Sequence, residues 1–260
     1  IKGDTDIIPF DAGSTGSRVT HIAGNAVRMV VAKIKEQLLK QASEMLEVTK
    51  ADLRIERGQV FVAGAPRRGL PLADVALASH RAGKLIVEKV SHAPSGLHVD
   101  ETTGQGKPHA CYVFATQCAE VEVDEETGEY SVLQLVAAHD VGKAVNPMNV
   151  EGQIEGASFM GYGFGTMERV VMEGGKAINT DLADYLIPTA LDGPDRMTTY
   201  IVEEEEPTGP FGAKGVGEPA LNPTTPAILN AIYDAVGVRL RDLPATPEAI
   251  LRMMPKCPAN

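Results

Sequence analysis

Cysteine is scarce in this chain. Three occur among 260 residues, Cys111, Cys118 and Cys257. Their odd number and the lack of CxxC spacing leave no disulfide framework and no zinc or iron–sulfur pattern. Such a chain is expected in a reducing cytoplasm. Positive charge is also in deficit, with 24 Lys and Arg against 35 Asp and Glu and a formal net charge of −11. That argues against nonspecific nucleic-acid binding, where basic side chains neutralise phosphate. It leaves an anionic cofactor open, because backbone N–H groups bind anions locally whatever the overall charge. No apolar run is long enough to cross a bilayer and no signal peptide opens the chain, so no membrane partner is expected. The six histidines are scattered, and a metal held by protein ligands is not expected. There is no GxxxxGK[ST] loop, no Ser-centred nucleophile elbow, no internal repeat and no low-complexity linker. The chain opens on Ile1 rather than Met, as expected of a fragment or a processed subunit.

What is present reads as interleaved helices and hairpins, an α+β or mixed α/β class. The length allows a substantial core in one large domain or two small ones. Asp11–Arg18 is loop-like and the chain then reaches Gly24-Asn25. After it, Val27, Val30, Val31, Ile34, Leu38, Ala42 and Met45 recur at helical spacing, with Lys and Glu opposite. Leu53, Ile55, Val60 and Val62 flank Arg57-Gly58 as a short hairpin. Leu72–Ala78 reads as a second helix closed by Gly83. Residues 91–110, rich in Ser, Pro, Gly and His, read as a long loop where two subdomains would meet. Two strands, Tyr112–Val123 and Tyr130–Ala138, are joined by hairpin chemistry at Asp124–Gly128. Asn146-Pro147 precedes a Gly-rich helix over roughly 148–168, and a hairpin near Met172–Ala177 turns at Gly174-Gly175. Near the end, Thr225 is the expected N-cap of a helix carrying Pro226, Ile228, Leu229, Ile232 and Val236, which stops at Gly237. Pro247 starts a short last helix.

Three segments carry possible chemistry. In the first, Gly209–Pro219, four glycines and two prolines surround Lys214 and Glu218. Glycine lets backbone approach a ligand closely, so this loop either aims a carboxylate into a cleft or is a surface turn with solvated charges. The second, Gly13-Ser14-Thr15-Gly16-Ser17-Arg18, suits an oxyanion, or is a flexible loop ahead of a helix. In the third, Gln153-Ile154-Glu155-Gly156 is followed by Gly161, Gly163 and Gly165. Glycine weakens an isolated helix, and most of these positions are best explained by tight helix packing. They are no dinucleotide fingerprint, because the spacing is wrong and no strand leads directly in. His139 and Asp140 adjoin on a strand and point to opposite faces, so a structural role is favoured over a dyad. Glu203–Glu206 reads most simply as a solvated run.

Taken together, these segments resemble the molybdenum hydroxylase family of xanthine dehydrogenase, aldehyde oxidoreductase and nicotinate dehydrogenase type. The matching stretches follow the family's order. They begin with Gly3-Asp4-Thr5-Asp6 and Gly13–Arg18. Val121-Glu122-Val123-Asp124 with Thr127-Gly128 comes next, then His139-Asp140-Val141-Gly142 with Asn146-Pro147. Gly152-Gln153-Ile154-Glu155-Gly156 and Gly212-Ala213-Lys214-Gly215-Val216-Gly217-Glu218-Pro219 complete the set and are specific as a pair. The resemblance covers nearly the whole chain and implies an α+β molybdopterin-binding domain over residues 1–260, the C-terminal part of its subunit. In this family a pterin dithiolene, not the protein, holds molybdenum.

The resemblance implies that Gly13, Ser14, Thr15, Gly16, Ser17 and Arg18 lie along the pterin and its phosphate, with a cytosine dinucleotide form adding phosphate contacts. It implies that Gln153 hydrogen-bonds near the molybdenum centre and that Lys214, Gly215, Val216 and Gly217 line it through backbone groups. Glu218 would be the catalytic base in hydroxylation of an electron-poor carbon, in an N-heterocycle such as a purine or nicotinate or in an aldehyde, with water-derived oxygen. Electrons would leave through [2Fe–2S] and FAD on partner chains or domains. The family's earlier half is missing, so activity is expected only alongside the rest of the molybdenum subunit. A non-catalytic or assembly module, an aryl-CoA reductase, or a carbon monoxide dehydrogenase member are the alternatives.

Overall fold

The computed structural model describes residues 4–8 and 10–254, so Gly3 and Cys257 lie outside the described residues. The chain divides into two units. The first contains Ile22–Pro94 with the residues up to Asp11, and the second contains Ala12–His21 with everything from Ser95 onward. No helix among the described residues is long and apolar enough to cross a membrane.

The 28-residue helix α1 (Val19–Leu46), which belongs to the first unit from Ile22 onward, is followed there by strands β1 (Leu53–Glu56) and β2 (Gln59–Val62). Strand β3 (Ala65–Pro71) and helix α2 (Leu72–Arg81) complete it. Arg57 and Gly58 both take positive φ, 47° and 75°, as the tight β1–β2 hairpin requires. Helix α1 starts earlier than expected and takes Gly24-Asn25 inside it, with Asn25 buried. Packing overrides the weak local preference of those two residues. Leu38 and Ala42 meet Leu53, Val60 and Val75 in the core. Val27 and Val31, on the same expected stripe, are exposed, so the buried face is shorter than the apolar pattern. Strand β3 was not legible in the sequence, because its two prolines and a glycine carry no strand signal.

The second unit opens with two-residue strands β4 (His98–Val99) and β5 (Gly106–Lys107). Its centre is the antiparallel pair β6 (Ala115–Val123) and β7 (Tyr130–Asp140). Asp124 closes their turn by accepting from the N–H groups of Glu126 at 2.7 Å and Thr127 at 3.1 Å. Helix α3 (Pro147–Thr166) follows, N-capped by Asn146, whose side chain accepts from Asn149 N–H. A small hairpin, β8 (Met172–Glu173) and β9 (Lys176–Ala177), turns at Gly174-Gly175. Strand β10 (Arg196–Val202) then pairs parallel to β7, giving the sheet order β10-β7-β6.

Helices α4 (Glu218–Leu221), α5 (Thr224–Val236) and α6 (Pro247–Met253) complete the unit. The α5 N-cap is Pro223, not Thr225. Thr225 instead donates its hydroxyl to the Gly161 carbonyl at 2.6 Å, a tertiary bond that a local capping rule cannot foresee. Gly237 ends α5 in the left-handed conformation, φ 70°.

Ile228, Ile232, Val238, Leu240 and Ile250 pack with Val132 beside the sheet. Burying each such side chain is worth about 1.5–3 kcal/mol. Ala137, Ile154, Ala157 and Ala220 form a second cluster. The glycines of α3 serve packing where expected. A Cβ at Gly161 would come within 2.7 Å of the Leu221 carbonyl and of Thr224 Cβ, and one at Gly165 within 3.2 Å of Thr225.

Candidate cofactor cleft

A cleft of about 720 Å³ lies within the second unit, and segments far apart in sequence build its wall. The first is the loop before α1. Gly13, Gly16 and Ser17 take positive φ of 76°, 57° and 54°, which curls it tightly. Ser14 and Ser17 reach the cleft wall, but Gly13, Thr15, Gly16 and Arg18 do not line it. Arg18 folds back and donates from Nη1 to the Gly13 carbonyl at 2.9 Å, so it helps to shape its own loop.

The second wall is one face of α3. Gln153 faces the cleft, flanked by Gly152 and Gly156. A Cβ at either glycine would meet no atom within 4 Å. These two glycines leave room, unlike Gly161 and Gly165, which allow close packing.

The third wall is the glycine bend. Lys143 N–H donates to the Gly212 carbonyl at 2.8 Å and Lys214 N–H to the Val141 carbonyl at 2.9 Å, pinning the bend to the end of β7. Lys214 lines the cleft, but its N–H is thereby committed and its ammonium is paired with Asp140, each side chain 7% exposed. Asp140 also accepts from Gly142 N–H at 3.0 Å. Lys214 therefore anchors the bend through its N–H and its ammonium while still lining the cleft. Gly215 is buried and does not line the cleft. A Cβ there would overlap the Ser17 carbonyl, so glycine permits the bend to touch the first segment. Val216, Gly217 and Glu218 line the wall.

Glu218 opens α4 with an exposed side chain, and its N–H donates to Ser17 Oγ at 3.1 Å. A Cβ on Gly217 would lie 3.4 Å from Ser17 Oγ and 3.6 Å from Gln153 Oε1, which measures how closely the three segments converge.

The acidic run behind the bend is not merely solvated. Glu203 accepts from Ala144 N–H at 2.8 Å and pairs with Lys143, whose hydrogen bond holds its carboxyl below the ordinary range. Glu206 accepts from the Thr208 hydroxyl at 2.6 Å and N–H at 2.9 Å, and these bonds lower it likewise. His21 Nε2 meets the same Thr208 hydroxyl at 3.0 Å. Burial pushes the half-buried Cys111 thiol up, and nearby Glu206 adds to the effect. His139 and Asp140 do not form a dyad. His139 lies 3.2 Å from Gln117 Nε2, while Asp140 pairs with Lys214.

The residues present suit a bulky polar cofactor. Gly152 and Gly156 leave a hollow that side chains would fill, and hydroxyl and amide groups face it.

Comparison with known proteins identifies the family of the chain. A family model described as a molybdopterin cofactor-binding domain matches residues 1–194. The chain is 32% identical over 254 residues to the 6-hydroxypseudooxynicotine dehydrogenase complex subunit gamma of Paenarthrobacter nicotinovorans, covering 96% of this chain and 31% of that one. It is 30% identical to the putative xanthine dehydrogenase molybdenum-binding subunit of Escherichia coli K12, covering 95% and 32%. The crystal structure of quinoline 2-oxidoreductase from Pseudomonas putida 86 superposes with a TM-score of 0.79 at 29% identity, covering 94% and 31%. The chain thus spans about a third of the length of the relatives it matches. It belongs to the molybdenum hydroxylase family, as a mixed α+β molybdopterin cofactor-binding domain.

Proposed function

We propose that this chain forms part of the cofactor and reaction site of a molybdenum-dependent oxidoreductase. It would hydroxylate an electron-poor carbon, in an N-heterocycle or an aldehyde, with Glu218 as base. The observation that carries this reading is the convergence of Ser17, Gln153 and Glu218 on one cleft. The names of the relatives support the substrate class, since xanthine and quinoline are N-heterocycles.

When bound, the molybdenum cofactor supplies the two-electron redox chemistry. The chain's own residues bind, orient and move a proton. Ser14 and Ser17 hydroxyls bind the pterin or its phosphate, in the cytosine dinucleotide form. The Gly13–Arg18 curl holds those hydroxyls in place. The Gln153 side-chain amide hydrogen-bonds toward the centre, and Val216 and Gly217 offer backbone. The Glu218 carboxylate takes up the proton released as water-derived oxygen is transferred. The rest of the molybdenum subunit completes the site, and iron–sulfur and FAD chains accept the electrons. Relatives named "complex subunit gamma" and "molybdenum-binding subunit" support such an assembly.

The test is a pair of variants in the complete enzyme. Glu218→Gln lowers turnover by about 10²–10⁴-fold, the usual worth of a general base, and keeps its molybdenum. Gly156→Leu fills the hollow and lowers molybdenum content. Near-normal turnover in Glu218→Gln at full molybdenum content contradicts the role given to Glu218.

A further inference from the structure

We infer that Gln117, near the start of β6, is a positioning residue that sets the placement of Glu218. The inference rests on the reading of Glu218 as the base. Helix α4 is four residues long and begins at Glu218. A single turn does not hold its own conformation, because nucleating a helix is unfavourable and its terminal carbonyls lack partners within it. Outside bonds must fix it. At the front, Glu218 N–H rests on Ser17 Oγ. At the back, Gln117 Nε2 donates to the Ala220 carbonyl at 2.8 Å. Gln117 Oε1 accepts from the Thr224 hydroxyl at 2.6 Å, at the first residue of α5. One amide therefore grips both the end of α4 and the start of α5.

The same Nε2 lies 3.0 Å from Ser158 Oγ on α3 and 3.2 Å from His139 Nε2 on β7, which share its second N–H. Burial holds the His139 proton affinity below its ordinary value, which keeps the ring neutral and able to accept. Ala220, Ser158, Thr224 and His139 are all buried, so these bonds are sheltered from competing water. Glutamine suits the post because it offers two donors and an acceptor at this reach. Ionised Glu offers only acceptors.

The experiment is a double-mutant cycle in the complete enzyme, pairing Gln117→Leu with Glu218→Gln. With Glu218 present, Gln117→Leu lowers kcat about tenfold, within the loss expected from misplacing a catalytic group by under ~1 Å. KM and molybdenum content stay at the wild-type level. In the Glu218→Gln background the same change costs no further rate, because a residue acting through another is not additive with it. Amide hydrogen exchange across residues 218–222 is faster in Gln117→Leu. An equal fold-loss in both backgrounds, or unchanged exchange, overturns the inference. Near-normal turnover of Glu218→Gln alone overturns the base reading and the inference with it, and is seen before Gln117 is touched. Gln117→Glu covers the case in which the leucine variant fails to fold. Its ionised form cannot donate to Ala220, so the ratio of variant to wild-type kcat rises as pH falls and the carboxyl regains a proton. A flat ratio overturns the inference.

Discussion

Ser17 Oγ accepts a hydrogen bond from the backbone N–H of Glu218 at 3.1 Å, across 201 residues of sequence. The contact ties the curled loop before α1 to the end of the glycine bend, and it exists only because Gly215 has no side chain to hold the two apart. On the proposed reading, Ser17→Ala in the complete enzyme lowers kcat by about three- to tenfold, the rate equivalent of one ordinary hydrogen bond. Steady-state kinetics would show it, and an unchanged kcat would count against this contact as a support for Glu218.

The buried Lys214–Asp140 pair should dominate the stability of the bend. Lys214→Met leaves a carboxylate buried without its partner, which costs about 3–5 kcal/mol. Adding Asp140→Asn to that variant removes the stranded charge and recovers much of the loss. Denaturant unfolding of the single and double variants checks this. Equal stability of the two would show that the pair is not coupled.

The glycines of α3 should answer a substitution in opposite directions. Gly156→Ala meets open space and gains helix propensity, so it stabilises by up to about 1 kcal/mol. Gly161→Ala drives a methyl toward the Leu221 carbonyl and destabilises by about 1–3 kcal/mol. Thermal unfolding of both variants decides it. A shift of the same sign in both would contradict the division of this helix into a hollow face and a packed face.

Stability should also depend on pH through His139. Its side chain is buried, and burial lowers its proton affinity from the ordinary value of 6.5. The native state therefore binds fewer protons than the unfolded chain in the window just below 6.5. The contribution is complete above that value and is lost as pH falls through it toward the depressed native value. The unfolding midpoint should drop between pH 7.5 and 5 (both roughly chosen to bracket the ordinary imidazole range), and His139→Asn should reduce that drop. An identical pH dependence in the variant would contradict it.

Much of this architecture was legible because local rules and tertiary structure agree. Arg57-Gly58, Asp124–Gly128, Asn146-Pro147 and Gly237 each carry their turn or cap chemistry on the page, and each marks a real boundary. The elements that escaped depend on distant partners. Strand β3 takes a Pro- and Gly-containing segment into a sheet against its propensity, and β10 pairs with a strand that precedes it by the whole of α3. Of the candidate site, the cleft-lining residues Ser14, Ser17, Gln153 and Val216–Glu218 were readable because they stand in family-like motifs. Gln117 was not, since its partners lie at His139, Ser158, Ala220 and Thr224. The available clue was a glutamine between Ala115 and Ala119 on one face of a strand, where alternation calls for an apolar side chain. Lys214 shows the opposite case: its motif was plain in the sequence, while its burial against Asp140 was not.

The most direct test of the account is the anaerobic single-turnover rate at which substrate reduces the complete enzyme, compared between wild type and Glu218→Gln at matched molybdenum content. The account predicts reduction slower by about 10²-fold or more, the lower end of what a general base contributes, with substrate affinity little changed. A variant reduced as fast as wild type would contradict it.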